Sequence, residues 1–227
     1  MNPHPSRSNG PPFLNRTIMK YTNLREELVS CCRLMAAKGL VAGTEGNVSA
    51  RDKDGTVLMT PSGMNKGEIE PEMLVRLNLE GRVLEGEFEP TSEKFMHLEF
   101  YRQRPGVGGV AHGHPIFCTA FAAAQRPLPQ NILPELIATI GDVVLVPYGR
   151  PSSSKLADAL SPYCCKHNAF ILQNHGATAV GKDVREAYHR LEVIEAYAKT
   201  VWAAGFMGGV KPLPQSAIDD LPSPTFS

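Results

Sequence analysis

The chain has 227 residues, 42% of them hydrophobic, with 23 basic side chains set against 23 acidic ones. That length holds one large domain or two small ones with ample material for a core. Zero net charge removes any global field that would gather nucleic acid or an anionic membrane, and no apolar run approaches the ~18 residues that span a bilayer.

The opening stretch, "MNPHPSRSNGPPFLNR", has no continuous apolar segment and is rich in Pro, Ser and Asn. It reads as a flexible tail over 1–18 rather than a secretory signal. The five cysteines include two adjacent pairs and no Cys-x-x-Cys, which argues for reduced thiols in a cytoplasmic protein rather than a disulfide framework. No repeat or linker divides the body of the chain, so residues 19–212 are expected to form one α/β domain. Asn23 and Glu26 make a capping pattern ahead of Leu24, Leu28, Cys31 and Met35, which recur at helical spacing until Gly39. "NVSARDKDGTVLMT" predicts a hairpin through Asp54-Gly55, followed by a Pro/Gly turn at "TPSG" (60–63). A helix is expected from near Ser92, with Glu93 in its first turn, ended by Arg104-Pro105-Gly106.

"GGVAHGHPIFCTA" (108–120) then predicts a buried strand, and "GDVVLVPYG" and "NAFILQNHGATAVG" two more strand regions, the last broken by a turn at Asn174-His175-Gly176. The final long helix opens on Asp183-x-x-Glu186 and carries Tyr188, Leu191, Ile194, Ala198 and Val201 on one face. Beyond Gly209 the chain turns Pro- and Ser-rich, and 213–227 is expected to fray as a second tail.

The residues that suggest chemistry are few. Side chains alternate along a strand, so His112 and His114 point to one face and could make half of a tetrahedral metal site, or be two strand-end imidazoles satisfied by backbone carbonyls. His175, on a turn after an apolar strand, is a candidate third ligand. Glu93 is explained equally well as a carboxylate favoured at a helix N-terminus. His97, four residues on, reads as a partner behind the ligands or as a core histidine. "GTEGNVS" (43–49), "TPSG" (60–63) and Thr91-Ser92 gather Gly, Ser, Thr and Asn where backbone N–H groups can cradle an anion.

Taken together, "GTEGNVS", "TPSG", "TSE", "HGHPIFCTA" and "NHG", in this order and at these intervals, resemble the class II aldolase/adducin family, nearest its fuculose-phosphate aldolase branch. The resemblance runs from about Leu24 to Gly209. It implies a three-layer α/β/α fold around a mainly antiparallel sheet, and a cyclic homotetramer with active sites between neighbouring subunits. One Zn²⁺ per chain would be held by Glu93, His112, His114 and His175, and a substrate phosphate by Gly46, Asn47, Ser62, Gly63, Thr91 and Ser92. Threonine at 91 and serine at 62 exchange the family's common hydroxyl residues without losing the hydroxyl. The implied activity is reversible cleavage of a short ketose 1-phosphate to dihydroxyacetone phosphate and an aldehyde. Zinc would act as Lewis acid and Glu93 would move the proton at C3.

One position departs from the pattern. Leu133 stands where the fuculose-phosphate branch uses a tyrosine from the adjacent subunit, and nearby "PELIATI" resembles a segment of methylthioribulose-phosphate dehydratase that carries an acid–base glutamate. Glu135 is therefore the candidate acid, with Tyr148 in reserve, and a deoxy- or methylthio-ribulose phosphate suits the more apolar position better than fuculose phosphate. A dehydratase on the same scaffold is the first alternative, against which Ser92-Glu93 counts. A pentulose-phosphate 4-epimerase, a branch that tends to carry Asp at position 93, is the next. A catalytically silent adducin-like interaction domain is the last, and the presence of all four metal candidates speaks against it.

Overall fold

The computed structural model describes residues 24–224; the expected N-terminal tail and the Asn23 cap lie outside them. Helix α1 (Leu24–Ala37) buries Leu28, Cys31 and Met35, and Gly39 follows with φ +68°, a left-handed conformation that ends the helix at little cost to glycine. Strands β1 (Asn47–Arg51) and β2 (Val57–Met59) form the expected hairpin, Ser49 opposite Met59 and Arg51 opposite Val57. Asp54 sets its turn by accepting from the Thr56 N–H and hydroxyl. Strands β3 (Val75–Leu77) and β4 (Val83–Glu85) extend the sheet, and helix α2 (Lys94–Gln103) follows. Glu93 is the N-cap of α2 and not a residue of its first turn as the sequence suggested. Its carboxylate makes no capping bond and is left for other partners.

Strand β5 (Gly109–Gly113) leads into α3 (Ile116–Ala123), α4 (Pro134–Thr139), β6 (Val143–Val146), α5 (Ser154–Leu160), β7 (Ala169–Leu172), β8 (Gly176–Gly181) and the long helix α6 (Val184–Gly205). Asp183 caps α6 by accepting from the Glu186 N–H, as its spacing predicted, and Glu186 accepts in turn from the Lys182 N–H. In the stretch read as a fraying tail, the Leu213 N–H donates to the Asn131 carbonyl and a short helix α7 (Gln215–Asp219) forms beyond Pro214.

Among the described residues, eight strands form one sheet in the order β4-β3-β2-β1-β5-β8-β7-β6, antiparallel throughout except for the β6–β7 pair. Alternation along each strand sorts residues to two cores. Ala50, Ala111, Ala169, Ala177 and Ala179 face α1, α3, α4 and α6, whereas Val110, Phe170, Leu172 and Val180 face α2 and α5. The fold is thus the three-layer α/β/α arrangement that the sequence implied. No helix among the described residues is long and apolar enough to cross a membrane.

Candidate functional site

Residues four apart on a helix lie one above the other, and Glu93, His97 and Tyr101 run in such a row along α2, pressed against the sheet. Facing them are Asn47 and Ser49, alternate residues of β1, and His112, which pairs with Asn47 across the β1–β5 ladder. The two sets of groups bond in a continuous chain. Asn47 Nδ2 donates to Glu93 Oε2 at 3.2 Å, while Asn47 Oδ1 is 2.5 Å from His97 Nε2. The Ser49 hydroxyl lies 2.7 Å from His97 Nδ1 and 2.8 Å from the Tyr101 hydroxyl. Once the Asn47 amide nitrogen faces Glu93, His97 must donate from Nε2 and accept at Nδ1. Burial pushes the His97 imidazole down to about 3, so it stays neutral, and pushes the Tyr101 phenol up.

Above this row three imidazoles converge. His112 lies near the end of β5, His114 stands one residue beyond the strand, and His175 sits on the β7–β8 turn, where Asn174 adopts φ +54°. Their ring centroids are 4.7–5.1 Å apart, and one nitrogen from each lies within 4.8 Å of the others. The Glu93 carboxylate reaches toward two of them, 3.0 Å from His112 Nε2 and 3.3 Å from His175 Nε2. Burial raises the Glu93 carboxyl, but the two imidazoles and the Asn47 amide outweigh it and hold the group well below the usual carboxylate range. Burial is also the chief reason His114 is lowered and His175 lies at about 3.

Glycine makes two of these approaches possible. A Cβ on Gly46 would come within 2.7 Å of the His112 carbonyl oxygen, and one on Gly176 within 2.5 Å of the His114 ring.

The cluster passes a test for holding a cation. Among the described residues, buried Glu93 Oε1, His112 Nε2, His114 Nε2 and His175 Nδ1 have no hydrogen-bond partner; the Glu93 contacts have the distance of hydrogen bonds without satisfying these atoms. Each orphaned buried polar atom costs about 1–3 kcal/mol; Glu93 Oε1, His112 Nε2 and His114 Nε2 point to a shared partner, and His175 turns Nε2 to the same carboxylate. His112 Nδ1 donates to the Ala177 carbonyl at 2.9 Å, which fixes its tautomer and leaves the Nε2 lone pair turned into the cluster. Glu45 Oε2 lies 3.3 Å from His114 Nδ1 and can do the same for that ring. Three imidazoles and a carboxylate suit a divalent transition metal.

The cluster borders a cleft of about 200 Å³ lined by Gly46, Asn47, Ser62, Gly63, Thr91, Ser92 and Glu93 together with His114 and His175. Every residue that the sequence assigned to phosphate is therefore in one place. A bridge between Pro61 and Pro90, with the Ser62 N–H donating to Glu89 and the Thr91 N–H to Thr60, zips the "TPSG" turn to the segment ahead of α2. The cleft also holds residues the sequence did not single out: Glu45, Lys66, Pro151 and Ser152, the last with φ +59° and its hydroxyl 2.8 Å from that of Ser92. Ser49 and Tyr101 were missed as well, although their spacings, two from Asn47 and four from His97, were a usable signal. Lys66 had none, since a lysine on a turn ordinarily points to water.

Glu135 and Tyr148 are not brought to this cleft within one subunit. Glu135 is exposed on α4, in a separate apolar hollow with Leu133, Leu136, Val193 and Tyr197. Tyr148 is 58% exposed beyond β6.

Comparison with known proteins matches residues 26–202 to the family described as Class II Aldolase and Adducin N-terminal domain. An L-fuculose phosphate aldolase of Methanococcus maripaludis is 35% identical over 76% of this chain and 93% of its own length. A 5-deoxy-D-ribulose 1-phosphate aldolase of Bacillus thuringiensis is 35% identical over 87% and 92%. A 3-oxo-tetronate 4-phosphate decarboxylase of Escherichia coli is 32% identical over 81% and 88%. A solved L-fuculose 1-phosphate aldolase superposes with a TM-score of 0.81 at 28% identity, covering 87% of this chain and 93% of that one.

Proposed function

The chain belongs to the class II aldolase and adducin family, and we propose that within it this protein is a zinc-dependent aldolase that cleaves a short ketose 1-phosphate to dihydroxyacetone phosphate and an aldehyde. The observation that carries this reading is the Glu93 carboxylate lodged between His112 and His175 at the floor of a cleft whose rim is built from Gly, Ser and Thr turns. His112, His114, His175 and Glu93 would hold the ion. Bound Zn²⁺ supplies Lewis-acid stabilisation of the negative charge that develops at the ketone oxygen when the C3–C4 bond breaks.

The protein's own groups do the rest. Gly46, Asn47, Ser62, Gly63, Thr91 and Ser92 take the phosphate and so fix the distance from it to the reacting carbons. As the C4 hydroxyl loses its proton, the C3–C4 electron pair stays with the three-carbon fragment. Glu93, once displaced from the ion by substrate and protonated from solvent, would deliver that proton to C3; in the condensation direction it would remove the C3 proton instead. Asn47, itself held by His97, keeps the Glu93 carboxylate turned toward that carbon.

The proton of the C4 oxygen is assigned to Glu135 of a neighbouring subunit in a homotetramer, with Tyr148 as the alternative. Two features support an interface close to the site. Ile116, directly after His114-Pro115, is 74% exposed, and Trp202, Phe206 and Met207 form an exposed apolar patch stacked on Phe117. Free cysteines throughout the described residues suit the reducing cytoplasm. Leu133 favours a substrate with an apolar aldehyde end, of the deoxyribulose type.

Relatives named 3-oxo-tetronate 4-phosphate decarboxylase support a second reading. Loss of CO₂ from a β-keto acid leaves the electron pair beside a ketone just as aldol cleavage does, and the same groups would serve. A panel of ketose 1-phosphates and 3-oxo-tetronate 4-phosphate, with dihydroxyacetone phosphate, dehydrated product and CO₂ all monitored, decides between them. Dihydroxyacetone phosphate released one-for-one with aldehyde, and lost on chelation, is the expected result. Dihydroxyacetone phosphate released one-for-one with CO₂ from 3-oxo-tetronate 4-phosphate, with no aldehyde from any ketose 1-phosphate, would transfer the assignment to the decarboxylases.

A further inference from the structure

Lys66 is the lysine that the fold buries among the described residues, at 1% exposure. Its ammonium donates to the carbonyl oxygens of Thr44, at 2.9 Å, and Met64. Both acceptors are neutral. A buried charge ordinarily requires an opposite charge beside it, and the acidic groups of the same cleft are engaged elsewhere, Glu45 with His114 and Glu93 with His112 and His175. The Cys32 thiol beneath it supplies no counter-charge either, because burial pushes that thiol up and keeps it neutral.

The position of the charge is as telling as its isolation. Thr44 lies in the "GTEGNVS" loop and Met64 directly follows the "TPSG" turn, so the ammonium ties together two of the segments whose N–H groups and hydroxyls line the cleft. An ammonium has three N–H donors, and two are used here. We propose that Lys66 is the formal counter-charge for a phosphate dianion bound at these turns, with its third N–H free for a ligand oxygen, and that it makes the site select phosphorylated over neutral ketoses. This rests on the sugar-phosphate reading of the cleft. It adds to that reading a residue that pulls by charge where the turns offer only dipoles.

The test is calorimetric titration of metal-loaded protein with inorganic phosphate, comparing the natural chain with Lys66→Met and Lys66→Gln. Glutamine keeps a donor for the Thr44 carbonyl while removing the charge. Both variants should bind phosphate at least about tenfold more weakly, with unchanged metal content and a raised KM for the phosphorylated ketose but little change in kcat. Variants that bind phosphate as tightly as the natural chain would overturn the role of Lys66 and leave the sugar-phosphate reading standing. A natural chain that binds no phosphate would remove both. Should neither variant fold, ¹⁵N-lysine spectra of the natural chain decide the matter, because the one buried ammonium among the described residues is the one shielded from solvent exchange. Its resonance should shift as phosphate saturates the site, and a resonance that stays still refutes the proposal.

Discussion

On one face of the sheet α6 lies against Ala111, Ala177 and Ala179 and buries Tyr188, Leu191, Ile194 and Ala198. On the other, α2 turns Glu93, His97 and Tyr101 toward Asn47, Ser49 and His112. Small strand residues let the long helix approach closely, and its contacts are apolar and non-directional. The α2 row is held by hydrogen bonds whose donors and acceptors leave one consistent arrangement, so it sets the direction of a carboxylate as well as its position. Placing the chemistry on the second face keeps its unsatisfied polar atoms away from the layer that supplies most of the apolar burial.

If the two faces are separable in this way, variants of the α2 face should damage chemistry with little loss of fold, and variants of the α6 face the reverse. The largest effect is expected from His112→Ala/His114→Ala, which removes two of the three converging rings. Metal analysis should find the ion lost and turnover at background, while the melting profile stays cooperative. Full metal content in that variant would dismantle the site assignment.

Glu93→Gln comes next. It keeps the size of the side chain and an oxygen for the metal but removes the base, so cleavage should fall about 10²–10⁴-fold with zinc largely retained. Exchange of the C3 proton of dihydroxyacetone phosphate with D₂O should fall in parallel, and exchange at the natural rate would put the base elsewhere.

Glu135→Gln sharpens the comparison, because Glu135 belongs to the α6 side of the sheet and is absent from the cleft of its own subunit. Cleavage should slow about 10²-fold while C3 proton exchange survives. Rings reassembled from Glu135→Gln and His114→Ala subunits should regain part of the activity, because some sites then combine intact halves. Mixed rings that form but stay inactive would exclude action in trans and pass the role to Tyr148.

Leu191→Ala tests the opposite face. Deleting this buried side chain should cost about 2–5 kcal/mol of stability, read from denaturant unfolding, with KM and metal stoichiometry unchanged. A shifted KM would mean that the two layers are coupled.

The last effect, the smallest over any single pH step, concerns pH. Burial holds His97 at about 3 against an ordinary 6.5, so the folded state keeps it neutral while the unfolded chain takes up a proton. Its share of stability is complete above 6.5 and is lost as pH falls from there toward 3, with a slope of up to about 1.4 kcal/mol per pH unit. Unfolding free energies at several pH values in this window should show that slope reduced in His97→Gln. Equal slopes would show that His97 protonates within the fold.

Local periodicity made much of this legible beforehand. The α1 stripe, the Asp54-Gly55 hairpin, the Asp183–Glu186 cap and the one-sided face of α6 all depend on residues a few positions apart, and all are present. Strand alternation put His112 and His114 on one face in advance and left His175 a candidate on its turn; the resemblance joined the three into one ligand set. Glu93 joined the ligands only through the resemblance carried by "TSE", since a helix start explains a Glu there equally well, and what brings it to the rings is the meeting of the α2 N-cap with β5 and the β7–β8 turn.

The sequence by itself determined which side chains lie on which face of each strand and helix, and with its five motifs the family to which the chain belongs. Only the tertiary structure decided that Lys66 is buried with no counter-charge among the described residues, that Ser49 and Tyr101 complete the row behind Glu93, and that Glu135 stands apart from the cleft of its own chain. The reason is physical. Periodicity and capping act over one or two turns of chain, whereas burial and the pairing of charges depend on segments many tens of residues apart. Their meeting is set by how the whole sheet stacks against its helices.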